Sequence, residues 1–132
     1  MKNIFLLLFV SVAALFAEVK NTYPSLELVN SKTKIIDIRT PQEWQETGLL
    51  KGAIPIMFFD ERGNYNVDAF LKELNTHVKK GEEFALICRT GNRTKMVSTF
   101  LDEKLGYHVI NLQGGILYAI GKKLPIEPYK KQ

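Results

Sequence analysis

The chain contains a single cysteine, Cys88, so it can form no disulfide within itself. Its two histidines, His77 and His108, show neither metal-ligand nor Cys-His spacing, and both read as structural. No metal site is therefore expected. No segment repeats and none is of low complexity. Charge of either sign is also modest: 18 basic against 14 acidic residues give a formal net charge of +4, scattered along the chain. That excess is too small for an electrostatic commitment to nucleic acid. The Lys79 and Lys80 pair and the Lys130 and Lys131 tail read as solvated faces. What is present, 132 residues at 45% hydrophobic and 24% charged, describes one globular domain with enough chain to bury a core.

The amino terminus breaks from that composition. Lys2 is followed by an apolar stretch from Ile4 to Ala17, broken only by Ser11, and then by Glu18. The stretch is shorter than the ~20 residues of a membrane-spanning helix, and small residues (Ala13, Ala14, Ala17) gather where a signal peptidase would cut. Residues 1–17 are therefore expected to be a signal peptide cleaved near Ala17 or Ala14, and the mature protein to be periplasmic or secreted. Leu15 is a poor fit to the small-x-small cleavage pattern, which keeps an uncleaved anchor as the alternative. No cysteine lies near the cleavage region, which excludes a lipoprotein. Cleavage removes only Lys2 among charged residues, taking +4 to +3, and leaves no membrane partner to expect.

Along the rest of the chain, apolar runs of strand length alternate with helical patterns. KIIDI (34–38), AIPIM (53–57), FALIC (84–88) and HVINL (108–112) read as buried strands. Pro24 and Ser25 open a short helix, while Thr40, Pro41 and Glu43 form a capping box. Asn66 caps a longer helix whose Val67, Phe70, Leu71 and Leu74 share a face. From Thr94 to Leu105 the residues Met96, Val97, Phe100, Leu101 and Leu105 recur at helical spacing, with Gly106 as the stop. A last helix is expected after Gly114 and Gly115, and LPIEP in extended form. The alternation predicts an α/β fold, a central, mostly parallel sheet with helices on both faces, and ligands at the carboxyl ends of its strands.

Cys88 falls at such an end, in CRTGNRT (88–94). The loop runs into a helix N-terminus, where free backbone N–H groups and the helix dipole favour negative charge and promote thiolate formation. Arg89 and Arg93 add to that bias, and Gly91 lets the loop curl with its amides inward. Thr90, Asn92 and Thr94 can orient loop and cap. The competing reading, a buried and inert cysteine packed as a small hydrophobe, is the commoner fate of a lone Cys, but these neighbours argue against it.

In four separated places, from about residue 22 to 129, the chain resembles the rhodanese-like sulfurtransferases. IIDIRTPQEW carries an Asp-x-Arg and a following Glu-aromatic pair (Asp37, Arg39, Glu43, Trp44). GLLKGAIPI supplies Gly48, Gly52 and Ala53, CRTGNRT is similar to the family's active-site loop, and LQGGI (Leu112 to Ile116) to its turn after the last strand. It departs from the family at Leu49, Ala119 and Lys123, which lie outside the thiol loop.

The resemblance implies an enzyme that passes sulfane sulfur through a persulfide on Cys88 and needs no cofactor. Arg89, Thr90, Gly91, Asn92, Arg93 and Thr94 would bind an anionic donor such as thiosulfate. With no second cysteine in the chain, the acceptor must be external: a thiol, a partner protein, or cyanide in an assay. Asp37 and Arg39 could support the pocket floor; a strand-end Asp tying down backbone, with Arg39 paired to Glu43, is the structural alternative. Two other functions are weighed against this one. A cysteine phosphatase or arsenate reductase would resemble Cys-x5-Arg, whereas four residues separate Cys88 from Arg93. A non-enzymatic sulfur-binding or sensing module would keep the fold without turnover.

Overall fold

The computed structural model describes residues 19–131; the expected signal peptide lies outside the described residues. Strand β5 (Phe84–Ile87) is buried at all four positions, as a run with no polar residue on either face requires. Strand β2 (Lys34–Asp37) pairs with it in parallel, Ile35 opposite Ala85 and Asp37 opposite Ile87. On its other side lies β6 (Val109–Leu112), also parallel and fully buried. The edges are β1 (Lys20–Thr22) against β6 and β4 (Ile54–Pro55) against β2, so the five-stranded parallel sheet has the order β1-β6-β5-β2-β4. The expected α/β layering is therefore present.

Alternation along the strands divides the core in two. Ile36, Phe84, Leu86 and Val109 point to one face, where α3 (Val67–His77) contributes Phe70 and Leu74 and α4 (Asn92–Leu105) contributes Val97 and Leu101. Ile35, Ala85, Ile87 and Ile110 point to the other, where α5 (Gly115–Gly121) supplies Ile116 and Ala119 and α1 (Leu26–Val29) packs Leu28 and Val29. Three helices start as their sequence dictates. Ser25 accepts from Leu28 N–H, Asn66 accepts from Ala69 N–H, and α2 (Pro41–Thr47) opens on the full Thr40–Glu43 capping box.

Three expectations need correction. AIPIM is not a buried strand of five residues: only Ile54 and Pro55 are strand, Pro55 being tolerated because its N position faces the open edge, while Ile56 N–H still donates to Asp37 O at 2.9 Å and Met57 is exposed. Helix α4 begins at Asn92, two residues before Thr94, which moves Asn92 and Arg93 from the loop into the first helical turn. Met96 leaves the apolar face, being 63% exposed, and Thr94 and Ser98 are buried in its stead. The chain also forms an antiparallel pair between β3 (Leu49–Leu50) and β7 (Ile126–Glu127) that fastens the carboxyl-terminal tail. Lys123, one of the positions where the chain departs from the family it resembles, adopts φ +58°, a left-handed conformation that glycine holds without strain.

Candidate active site

The sheet delivers Cys88 from the carboxyl end of β5, its central strand, directly into the turn that starts α4. Gly91 makes that turn at φ +100°. Its N–H then points back and donates to Cys88 Sγ at 3.2 Å. A Cβ at Gly91 would meet Gly114 N at 3.1 Å, so the loop is pressed against the turn preceding α5 as well as curled on itself. The second glycine of that turn, Gly115, has φ +60°, and a Cβ there would collide with the Cys88 and Arg89 carbonyls. With no side chain in the way, Ile116 N–H donates to Cys88 O at 2.8 Å and Leu117 N–H to Arg89 O at 3.2 Å. The two Gly-containing motifs, CRTGNRT and LQGGI, are thus one piece of structure.

Cys88 is only 1% exposed, as buried as an inert packing cysteine. Its environment is polar all the same. Besides the Gly91 amide, the Thr94 hydroxyl lies 3.6 Å from the sulfur, and Thr94 is itself fully buried. Arg89 and Thr90 are exposed at the mouth of the loop, and Arg89 forms no ion pair among the described residues. Asn92 is exposed on the first turn of α4.

The expected Arg39–Glu43 pair is not formed. Arg39 turns back along the strand end, where Nε and Nη2 donate to the Asp37 carboxylate at 2.9 to 3.1 Å with both side chains fully buried. Asp37 also accepts from its own strand end at Arg39 N–H (3.0 Å) and from Trp44 Nε1 (3.0 Å). Of Glu43, only the backbone carbonyl is within reach of Arg39, at 3.4 Å from Nη1, which also donates to Thr47 Oγ1 at 2.9 Å, while Nη2 donates to Gly48 O at 2.9 Å. The Glu43 carboxylate goes to Arg93, in a two-pronged pair at 2.7 and 2.8 Å. No sequence signal could have joined residues fifty positions apart.

That pair has a pH signature. The hydrogen bond from Arg93 holds the Glu43 carboxyl below its ordinary value near 4.5, against burial, which pushes it up; the Arg93 charge, the Thr40 amide and the Arg39 charge act in the same direction as Arg93's bond. The same hydrogen bond raises the pKa of Arg93. A depressed carboxylate contributes stability that is present above its unfolded value and is lost as pH falls through its folded value. With both side chains partly covered, Glu43→Gln is expected to cost roughly 1 to 2 kcal/mol, between an exposed and a buried pair. Thermal melts at neutral pH should show a drop of about 4 to 8 °C. The gap between wild type and variant should close in acid, once the carboxyl is protonated. A gap that persisted unchanged at pH 3 would rule the pair out as its source.

His77, the last residue of α3, sits 3.8 Å from Glu73, and His108 is exposed just before β6. Both lie at the amino ends of strands, away from Cys88.

A family model for the Rhodanese-like domain matches residues 25–118. The chain belongs to the rhodanese-like domain family. Among relatives, it is 31% identical over 103 residues to "Senescence-associated protein DIN1" of Raphanus sativus, covering 76% of this chain and 56% of that protein. It is 30% identical over 91 residues to "Putative sulfurtransferase YtwF" of Bacillus subtilis (strain 168), covering 69% of this chain and 77% of that one. Among solved structures, a rhodanese-related protein from Thermoplasma volcanium superposes with TM-score 0.63 at 21% identity, covering 85% and 100% of the two chains. A rhodanese-like domain protein from Staphylococcus aureus superposes with TM-score 0.58 at 28% identity, covering 83% and 99%. In this rhodanese-like chain the CRTGNRT loop, the Asp37–Arg39 end of β2 and the Gly114–Gly115 pair all meet around the carboxyl end of β5.

Proposed function

We propose that this rhodanese-like chain is a sulfurtransferase that carries sulfane sulfur as a persulfide of Cys88, from an anionic donor such as thiosulfate to an external nucleophile. One observation carries the reading: the chain's sole thiol sits at the end of the central strand with a backbone amide donating to its sulfur at 3.2 Å. The Bacillus subtilis relative named as a sulfurtransferase supports it. In the forward step the Cys88 thiolate attacks the outer sulfur of thiosulfate, a new S–S bond forms, the old one breaks, and sulfite leaves with its electron pair. The inward amide of Gly91 supplies positive potential for the anionic sulfur. The acceptor, a thiol, a protein or cyanide, then takes the outer sulfur and regenerates the thiolate.

The two loop arginines divide the work. Arg93 already spends both prongs on Glu43, so the donor's sulfonate falls mainly to Arg89, which is exposed at the rim. Arg89→Ala is expected to raise the thiosulfate KM about tenfold or more with kcat largely kept, the mark of a contact made equally in ground and transition states. An unchanged KM with a lost kcat would assign Arg89 to the transition state. The work is proposed to take place in the periplasm or outside the cell, after the leader is removed. Incubating purified protein with thiosulfate should add one sulfur to its intact mass, and cyanide should remove it as thiocyanate. Turnover of p-nitrophenyl phosphate without sulfur loading would replace this reading with a phosphatase.

A further inference from the structure

Beside the sulfur, a chain of polar side chains leads out of the core. Thr94 Oγ1 lies 3.6 Å from Cys88 Sγ and 2.6 Å from Asn111 Oδ1 on β6, and Asn111 Nδ2 lies 2.9 Å from Asn21 Oδ1 on β1. Thr94 is fully buried and Asn111 is 3% exposed, while Asn21 reaches the surface. A hydroxyl has one proton to give. Three acceptors compete for it: the Asn111 oxygen, Gly91 O at 3.2 Å, and the sulfur.

With the Asn111 oxygen facing Thr94, the short 2.6 Å bond takes that proton, and Thr94 can only accept from Cys88 as a thiol S–H. An anionic sulfur needs a donor in its place. Turning the Asn111 amide over provides one without moving any heavy-atom position. Its NH2 then donates to Thr94 Oγ1, and the Thr94 proton is released toward sulfur. The exposed Asn21 amide turns over with it, giving up its 3.5 Å contact with Val19 O so that its NH2 donates to the Asn111 oxygen. Both orientations leave the buried members of the chain satisfied, which matters because an unpartnered polar group at this depth is costly.

We propose that Asn111 is a positioning residue for the sulfur chemistry: its reversible amide directs the Thr94 hydroxyl proton to Cys88 when the sulfur is anionic, with Asn21 as the outer partner that accommodates either orientation. The proposal rests on the sulfurtransferase reading only for its kinetic readout; the hydrogen-bond switch itself concerns the thiolate. Asn111→Asp keeps size and acceptor but loses the donor, so it should hold the Thr94 proton permanently away from sulfur. Thr94→Val removes the proton altogether.

The experiment measures two rates in wild type, Asn111→Asp, Thr94→Val and the double variant: iodoacetamide alkylation of Cys88 at fixed neutral pH, and sulfur loading from thiosulfate. Each single variant should lose about tenfold in both rates, as expected for one hydrogen bond to a charged group, with KM for thiosulfate little changed. The double variant should lose no more than Thr94→Val alone, because the Asn111 effect passes through Thr94. Thr94→Ser should restore both rates. Asn21→Ala, at the exposed end, should fold normally and lose a smaller factor, about two- to threefold, which keeps the idea testable if Asn111→Asp does not fold. Additive losses in the double variant would overturn the proposal by showing that the new carboxylate acts directly on the sulfur. So would an unchanged alkylation rate in Asn111→Asp or Asn21→Ala. If wild type is alkylated in the expected pattern but never loads sulfur, the sulfurtransferase reading fails and the switch stands.

Discussion

Cys88→Ser is expected to abolish sulfur loading and thiocyanate formation together, with no residual turnover above the uncatalysed rate. A serine hydroxyl stays protonated near neutral pH and cannot hold a sulfane sulfur as a persulfide. The chain has no second cysteine to take over. The folded state should tolerate the change. Oxygen and sulfur differ little in size, and the new hydroxyl inherits the Gly91 amide and the Thr94 hydroxyl as partners, so the buried polar atom is not orphaned. A melting temperature within a few degrees of wild type would accompany the lost activity. Thiocyanate released by the serine variant at the wild-type rate would refute the assignment of Cys88 outright.

The largest stability effect is expected away from the sulfur, at Asp37. Among the described residues its carboxylate is the sole counter-charge paired with the fully buried Arg39 guanidinium, and it also satisfies Trp44 Nε1 and the Arg39 backbone amide. Asp37→Ala would leave a positive charge in the interior with its remaining contacts to Thr47 Oγ1 and Gly48 O, neither of them anionic. Breaking such a pair from one side costs about 3 to 5 kcal/mol. That is a large share of the ~5 to 15 kcal/mol that hold a domain together, so urea denaturation should show the midpoint falling sharply. Removing both charges is a different matter, since apolar groups of similar volume can replace a buried pair at little cost. Asp37→Leu with Arg39→Met should therefore recover much of what either single change loses. A double variant no better than the single ones would mean that the hydrogen bonds to backbone and Trp44, not the paired charges, dominate at this site.

Features written in neighbouring residues were legible in the sequence. The Thr40–Glu43 capping box, the Asn66 cap and the Gly106 stop all depend on residues within a few positions of one another, and each formed as read. Strand β1 was missed because Lys20, Asn21 and Thr22 are polar and exposed at an edge, with no apolar pattern to announce them. Strands β3 and β7 are two residues long and exist only through each other. Partner choice was the other gap. Arg39 stands four residues from Glu43 in the sequence and Arg93 fifty, and only the three-dimensional path of β2 and α4 decides that Arg93 reaches its carboxylate. Met96 fitted the helical period and still faces outward, because periodicity marks a stripe and not its width.

The register of the sheet also fixes an order of assembly. Asn21 stands opposite Asn111 in the β1–β6 pairing, ninety residues later in the chain, so this edge can close only when nearly the whole domain has formed. Three exposed residues at an edge are also among the first to detach in native fluctuations. The outer link of the polar chain beside the sulfur therefore belongs to the last strand to dock and the first to fray. Sulfur reactivity should thus respond to mild heat or denaturant before global unfolding is detectable, and report on the integrity of the amino-terminal edge.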